Sequence, residues 1–74
     1  MGQRPPITNR VRELREAHGQ ISQATLGEAV GVTRQTIIAI EQGRYSPSLE
    51  TSFRIARWFG VGLEDVFGWD DPAA

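Results

Sequence analysis

The sequence predicts a small all-α domain, five short helices packed in a compact unit around one core. Three observations carry this. Apolar residues recur at helical spacing, glycine punctuates the chain at short intervals, and Ser or Thr stands just before several apolar stretches. With 74 residues there is room for one domain and a modest core. The chain has no cysteine, so neither disulfides nor thiolate metal sites can supplement that core. Helix packing, assisted by a second subunit, is left to stabilise it.

The first helix is expected over residues 9–18, with Ile7, Val11 and Leu14 on one face and Gly19 as its stop. A second follows Ser22, carries Leu26 and Val30, and ends at Gly31. Thr33 can cap a third, residues 34–42, which Gly43 terminates. Residues 44–47, Arg-Tyr-Ser-Pro, read as a loop. Ser48 caps a fourth helix, Leu49 to Phe59, whose Leu49, Ser52, Phe53, Ala56 and Phe59 form its expected inward stripe. After Gly60 a last turn of helix is expected over residues 63–67. No cap is followed by Glu or Gln at the third helical position, so no capping box is expected. Ile7-Thr8 and Phe67-Gly68-Trp69 offer at most short edge strands or extended segments. The chain thus divides into an N-terminal arm (1–8), a domain (9–67) and a C-terminal tail (68–74) suited to dimer formation.

Charge sets limits on partners. Eight arginines against nine acids give a net charge of −1, where a nucleic-acid binder is usually basic. The distribution differs from the sum: residues 1–60 carry a net +3 and the last fourteen carry −4. No apolar run approaches the roughly 20 residues that span a bilayer, and no signal-peptide pattern opens the chain, so a cytoplasmic protein with no membrane partner is expected. Enzyme chemistry lacks its inventory: no cysteine nucleophile, no glycine-rich phosphate loop and no Cys/His cluster. The lone His18 lies near a helix C-terminus, where a dipole interaction accounts for it. No catalytic residue, metal, cofactor or small-molecule ligand is expected.

The most informative stretch runs from Gln23 to Gly43, QATLGEAVGVTRQTIIAIEQG. Two helices joined by a turn of about three residues cross steeply and must approach closely at one point. Gly27 supplies the small residue there, and Gly31 supplies the positive φ that the turn needs. Leu26, Val30, Val32, Ile37 and Ile40 fill the inward positions. Around the third helix, at about 100° per residue, Gln35, Ile38, Ala39 and Gln42 face out, with Arg34 at the leading edge and Glu41 at the core boundary. A surface helix meeting only water is usually charged on that face. This one offers groups that pair with base edges: Arg with guanine, Gln with adenine, Ile38 with a thymine methyl.

The chain resembles the Cro and lambda-repressor type of helix-turn-helix proteins (XRE-like). The matching text is RELREAHG, SQATLGEAVGVTRQTIIAIEQGRYSPSLETSFRIARWFGV and LEDVFGW. The ending is similar to short single-domain repressors without an effector domain. The resemblance implies five helices, a homodimer, a palindromic double-stranded DNA operator and transcription regulation, most often repression. It implies that Arg34 and Gln35 read bases, with Thr36 and Ala39 beside them. Gln23, Thr33, Arg44, Tyr45 and Ser46 would meet the phosphate backbone, Gln23 also buttressing the recognition helix. Arg15 and Glu41 would form a structural salt bridge. Four departures stand out: the turn Gly19-Gln20-Ile21-Ser22 is one residue longer than the commonest form, Gly27 replaces the usual Ala, Ala39 is a poor base reader, and lysine is absent. Val66, Phe67 and Trp69 are expected in a two-fold dimer interface. The acidic, aromatic C-terminal segment also suits an antitoxin or protein-interaction subunit built on the same fold.

Overall fold

A computed structural model describes residues 5–70, and the outer ends of the expected arm and tail lie outside the described residues. The chain runs β1 (Ile7–Asn9), α1 (Val11–Ala17), α2 (Gln23–Val30), α3 (Arg34–Glu41), α4 (Leu49–Phe59), α5 (Leu63–Val66) and β2 (Phe67–Trp69). The five helices are present, but the fold is not purely α. β1 and β2 pair as an antiparallel ribbon, Ile7 opposite Trp69, Thr8 opposite Gly68 and Asn9 opposite Phe67. The expected boundary at residue 9 therefore falls inside a strand, and α1 starts two residues later. Asn9 remains involved in that start, since its Oδ1 accepts the Val11 amide at 3.1 Å. No described helix is long and apolar enough to cross a membrane.

Three helices begin in one way. Ser22, Thr33 and Ser48 each accept the amide of a threonine three residues on, at 3.0, 3.1 and 3.1 Å. Each cap hydroxyl also bonds that threonine's hydroxyl, at 2.9–3.1 Å. These pairs satisfy amides that a helix N-terminus leaves without an intrahelical partner. At α5 the expected absence of a capping box is corrected by an aspartate: Asp65 Oδ2 accepts the Gly62 amide at 2.9 Å. The shorter Asp makes here the reach-back contact usually supplied by Glu or Gln.

The core consists of Val11, Leu26, Val30, Ile37, Ile40, Ile55, Ala56, Phe59 and Val66. Along α4 the expected stripe is rotated. Ser52, Ala56 and Phe59 are buried with Ile55, whereas Leu49 is 68% and Phe53 47% exposed. Two apolar arcs overlap on this helix, and only the one centred between Ile55 and Ala56 meets the rest of the domain. Phe59 is packed edge-on by His18 and Trp58, at ring separations of 5.0 and 5.2 Å.

Gly27 is explained by contact. A Cβ there would stand 2.7 Å from the Val32 carbonyl oxygen and 3.3 Å from Thr33 backbone atoms. Replacing glycine by alanine in a helix normally gains up to about 1 kcal/mol. Here the obstacle is backbone, which cannot swing aside. Gly27→Ala is therefore expected to destabilise the domain by about 1–2 kcal/mol, the range of a tight overpacking. Urea unfolding followed by circular dichroism checks this; a rise in midpoint contradicts it.

Candidate nucleic-acid interface

The candidate interface is centred on α3 and on what holds its two ends. At its start, Thr33 caps the helix and Arg34 and Gln35 occupy the first two helical positions, both exposed. Before it, Gly31 takes φ 85°, and the Val32 amide closes back on the Gly27 carbonyl at 2.9 Å. That left-handed residue ends α2 and swings the chain into α3 within three residues. At its finish, Gly43 takes φ 73° while the Gly43 and Arg44 amides bond the Ile40 and Ala39 carbonyls, each at 3.0 Å. The backbone of Arg44 is thus fixed three residues beyond the helix end, with its side chain exposed.

Glu41, in the last turn of α3, ties three helices together. Its carboxylate accepts Arg15 Nε at 2.8 Å and Arg15 Nη2 at 3.1 Å, a bidentate pair, and Gln23 Nε2 at 3.1 Å. Arg15 Nη1 donates to the Ile21 carbonyl at 2.9 Å. The Glu41 side chain is 6% exposed and that of Arg15 14%. The hydrogen bond to Glu41 raises the Arg15 guanidinium above its ordinary pKa, against an opposing effect of burial and with further help from the Glu41 and Glu16 charges. The longer turn also finds its place: Gln20 adopts φ 56°, and the Ile21 carbonyl beyond it becomes an Arg15 partner.

Of the remaining candidate residues, Thr36, Ile38 and Ala39 are half-buried along α3, so Ile38 stands out less than its angular position suggests. Thr33 and Thr36 share a hydroxyl hydrogen bond of 3.0 Å. Tyr45 is exposed and Ser46 half-buried in the following loop. Val66 needs correction as an interface residue: it is 1% exposed, a member of the core, and its side chain has no surface to offer. Phe67 is half-buried and Trp69 is 69% exposed.

Charge pairing sharpens the net charge of −1. Arg10 pairs with Glu13, Arg12 with Glu16 and Arg54 with Glu50, all at helical spacing, and Arg15 pairs with Glu41. Among the described residues, Arg34, Arg44 and Arg57 stand outside these pairs. Two of those three flank α3. The positive body read from the sequence is thus largely self-neutralised, and its available charge is concentrated at the two ends of one helix.

A family model described as helix-turn-helix matches residues 11–66, most of the chain. The chain belongs to the helix-turn-helix family, of the Cro and lambda-repressor type. It is 48% identical over 65 residues to an HTH-type transcriptional regulator of Methanocaldococcus jannaschii, covering 88% of this chain and 97% of that one. It is 54% identical over 61 residues to the HTH-type transcriptional regulator YgzD of Bacillus subtilis, covering 82% and 91%. A cryptic-phage transcriptional repressor, RstR of Vibrio cholerae, is 30% identical over 60 residues, 81% of this chain and 53% of that protein. A solved chain from Bacteroides fragilis superposes with a TM-score of 0.72 over 84% of this chain and 98% of its own, at 22% identity. In this family α2, the turn and α3 are the helix-turn-helix. One residue that positions α3 leaves no mark in the sequence. Asn9 binds the end of α3, a contact 31 residues apart that leaves no local pattern.

Proposed function

We propose that the protein is a homodimeric, sequence-specific regulator of transcription, a repressor, that places α3 of each subunit in the major groove of a palindromic operator. The observation that carries this is the outer face of α3: Arg34 and Gln35 exposed at its first two positions, with the helix held at both ends. Arg34 would take a guanine edge and Gln35 an adenine edge, each in bidentate fashion. Thr36, Ile38 and Ala39 would line the same groove with small or apolar contacts. Arg44, Tyr45 and Ser46 past the helix end, with Thr33 and Gln23 before it, would meet phosphates and set register. Gln23 has an amide hydrogen on Glu41 already, so its second amide hydrogen or its backbone N–H is what remains for DNA. The repressor reading is supported by the name of the Vibrio relative.

Phosphate contacts and base contacts differ in their salt and sequence dependence. Arg44→Ala is expected to weaken binding to all duplexes alike and to reduce the slope of log K against log salt by about 1. Fluorescence anisotropy across a salt series checks this. A loss confined to one operator sequence contradicts a phosphate role.

The second copy would pack on the surface around β2. An apolar groove of about 280 Å³ is lined by Ile7, Pro47, Leu49, Ser52, Leu63 and Phe67, with exposed Trp69 following in the same strand as Phe67. Arg57 lies eight residues after Leu49 and four after Phe53 on α4, outside the ion pairs, while Glu64 and Asp70 carry negative charge beside Leu63 and Trp69. A two-fold related copy would set an apolar centre against itself and opposite charges at its edge. Leu49→Asp with Trp69→Asp is expected to convert a dimer into a folded monomer in sedimentation equilibrium at micromolar concentration. A wild-type chain that is monomeric both free and on operator DNA contradicts the dimer.

A further inference from the structure

Asn9 makes two hydrogen bonds in opposite directions. Its Oδ1 accepts the Val11 amide at 3.1 Å, and its Nδ2 donates to the Ile40 carbonyl in the last turn of α3 at 2.8 Å. That carbonyl also accepts the Gly43 amide at 3.0 Å, so both of its lone pairs are occupied. Asn9 is at the same time a ribbon residue, opposite Phe67, and the next amide, Arg10, bonds the Val66 carbonyl at 2.8 Å. One side chain therefore joins the ribbon that carries Trp69 directly to the helix that carries Arg34 and Gln35.

We infer that Asn9 is a positioning residue that fixes the angle between the dimer face and the recognition helix, and so selects the half-site spacing of the operator. The inference rests on the dimeric reading above. In a two-fold dimer the separation of the two α3 helices is set along a path from one helix through its ribbon, across the subunit contact and back. The apolar contacts along that path are non-directional and tolerate a small tilt. The Asn9–Ile40 bond is directional and half-buried, and it acts at the end of α3 where a tilt about the ribbon would begin. The Arg15–Glu41–Gln23 cluster orients α3 against α1 and α2, a different pair of elements.

The discriminating variant is Asn9→Asp, which keeps size and the acceptor for the Val11 amide but turns a carboxylate oxygen toward the Ile40 carbonyl. Binding is measured at one salt concentration to an isolated half-site duplex and to two-half-site duplexes. The spacers are the selected length, one base pair shorter and one base pair longer. For the half-site, Asn9→Asp is expected to stay within about twofold of wild type, as for a change distant from the contacts. Its preference for the selected spacer is expected to fall by about fivefold, the scale of one net intramolecular hydrogen bond. Asn9→Ala is expected to lose the same preference, and its thermal midpoint tells whether losing the α1 contact adds a stability cost. A common weakening on every duplex, or an unchanged spacer preference, overturns the inference and leaves the dimer intact. A wild-type protein with no spacer preference removes the dimeric reading, and this inference with it.

Discussion

Glu41→Ala is expected to remove about 3 kcal/mol of stability, a large share of what a domain of this size has. The cost comes from what is left behind. Arg15, 14% exposed, would keep only the Ile21 carbonyl as a partner, and Gln23 Nε2 would lose its acceptor. An unpaired charge held away from water costs more than the pair contributes when intact. The companion double variant, Arg15→Met with Glu41→Leu, removes both charges and is expected to recover most of that loss. Urea unfolding of both variants measures the difference. Equal destabilisation by the single and double changes contradicts the argument, because stability would then depend on the pair itself. The pH dependence has a definite sign. The raised folded-state pKa of Arg15 gives a contribution that is fully present below the ordinary arginine range and lost only as pH rises beyond it through the raised folded-state value. Neutral and mildly alkaline solutions should therefore leave this contribution untouched.

Arg34→Ala with Gln35→Ala is expected to abolish discrimination between operator and unrelated DNA while leaving the fold intact. Each bidentate base contact contributes about 1–3 kcal/mol of discrimination, so losing both reduces specificity by roughly thirtyfold or more. Helicity should not fall: both positions follow the Thr33 cap, whose acceptor role toward the Thr36 amide involves neither side chain. Competition binding against operator and scrambled duplexes, with a circular dichroism spectrum of the same samples, checks both halves. Retained preference for the operator contradicts the assignment of base reading to these residues.

Much of this arrangement was legible in the sequence because it depends on local spacing. Leu26, Val30, Ile37 and Ile40 had to face inward once Gly27 and Gly31 defined a steep helical pair, and all four are buried. The Ser or Thr caps and the glycine stops placed three helices to within a residue. The ribbon was not legible as a pairing, since two three-residue strands at opposite ends of the chain carry no period to read. On α4, Phe53 and Ile55 both lie beside apolar neighbours, and only the rest of the fold decides that Ile55 is covered. Val66 is a similar case: next to Phe67 and Trp69 in the sequence it reads as part of an apolar surface, but the last turn of helix buries it in the core. Asn9 illustrates the limit most clearly, because its partner Ile40 lies on another element and neither residue is unusual where it stands.

The pairing of arginines changes what the overall charge implies. Three of the pairs lie at i,i+3 or i,i+4 spacing, and such exposed pairs contribute little stability, of the order of a few tenths of a kcal/mol each. Their effect is on the field. They offset cations on α1 and α4, and of the three described arginines left outside every ion pair Arg34 begins α3 and Arg44 follows its end, so a chain of net negative charge can still present a local positive face to a duplex.

In the proposed function, α3 reads double-stranded DNA as one of a symmetric pair. In-vitro selection from a pool of random duplexes, at one stated salt concentration, tests it most directly. Enrichment of an inverted repeat, with half-sites centred about one helical turn apart and lost on Arg34→Ala with Gln35→Ala, is the predicted result. Binding without enrichment of any sequence, or enrichment of a motif with no two-fold symmetry, would contradict it.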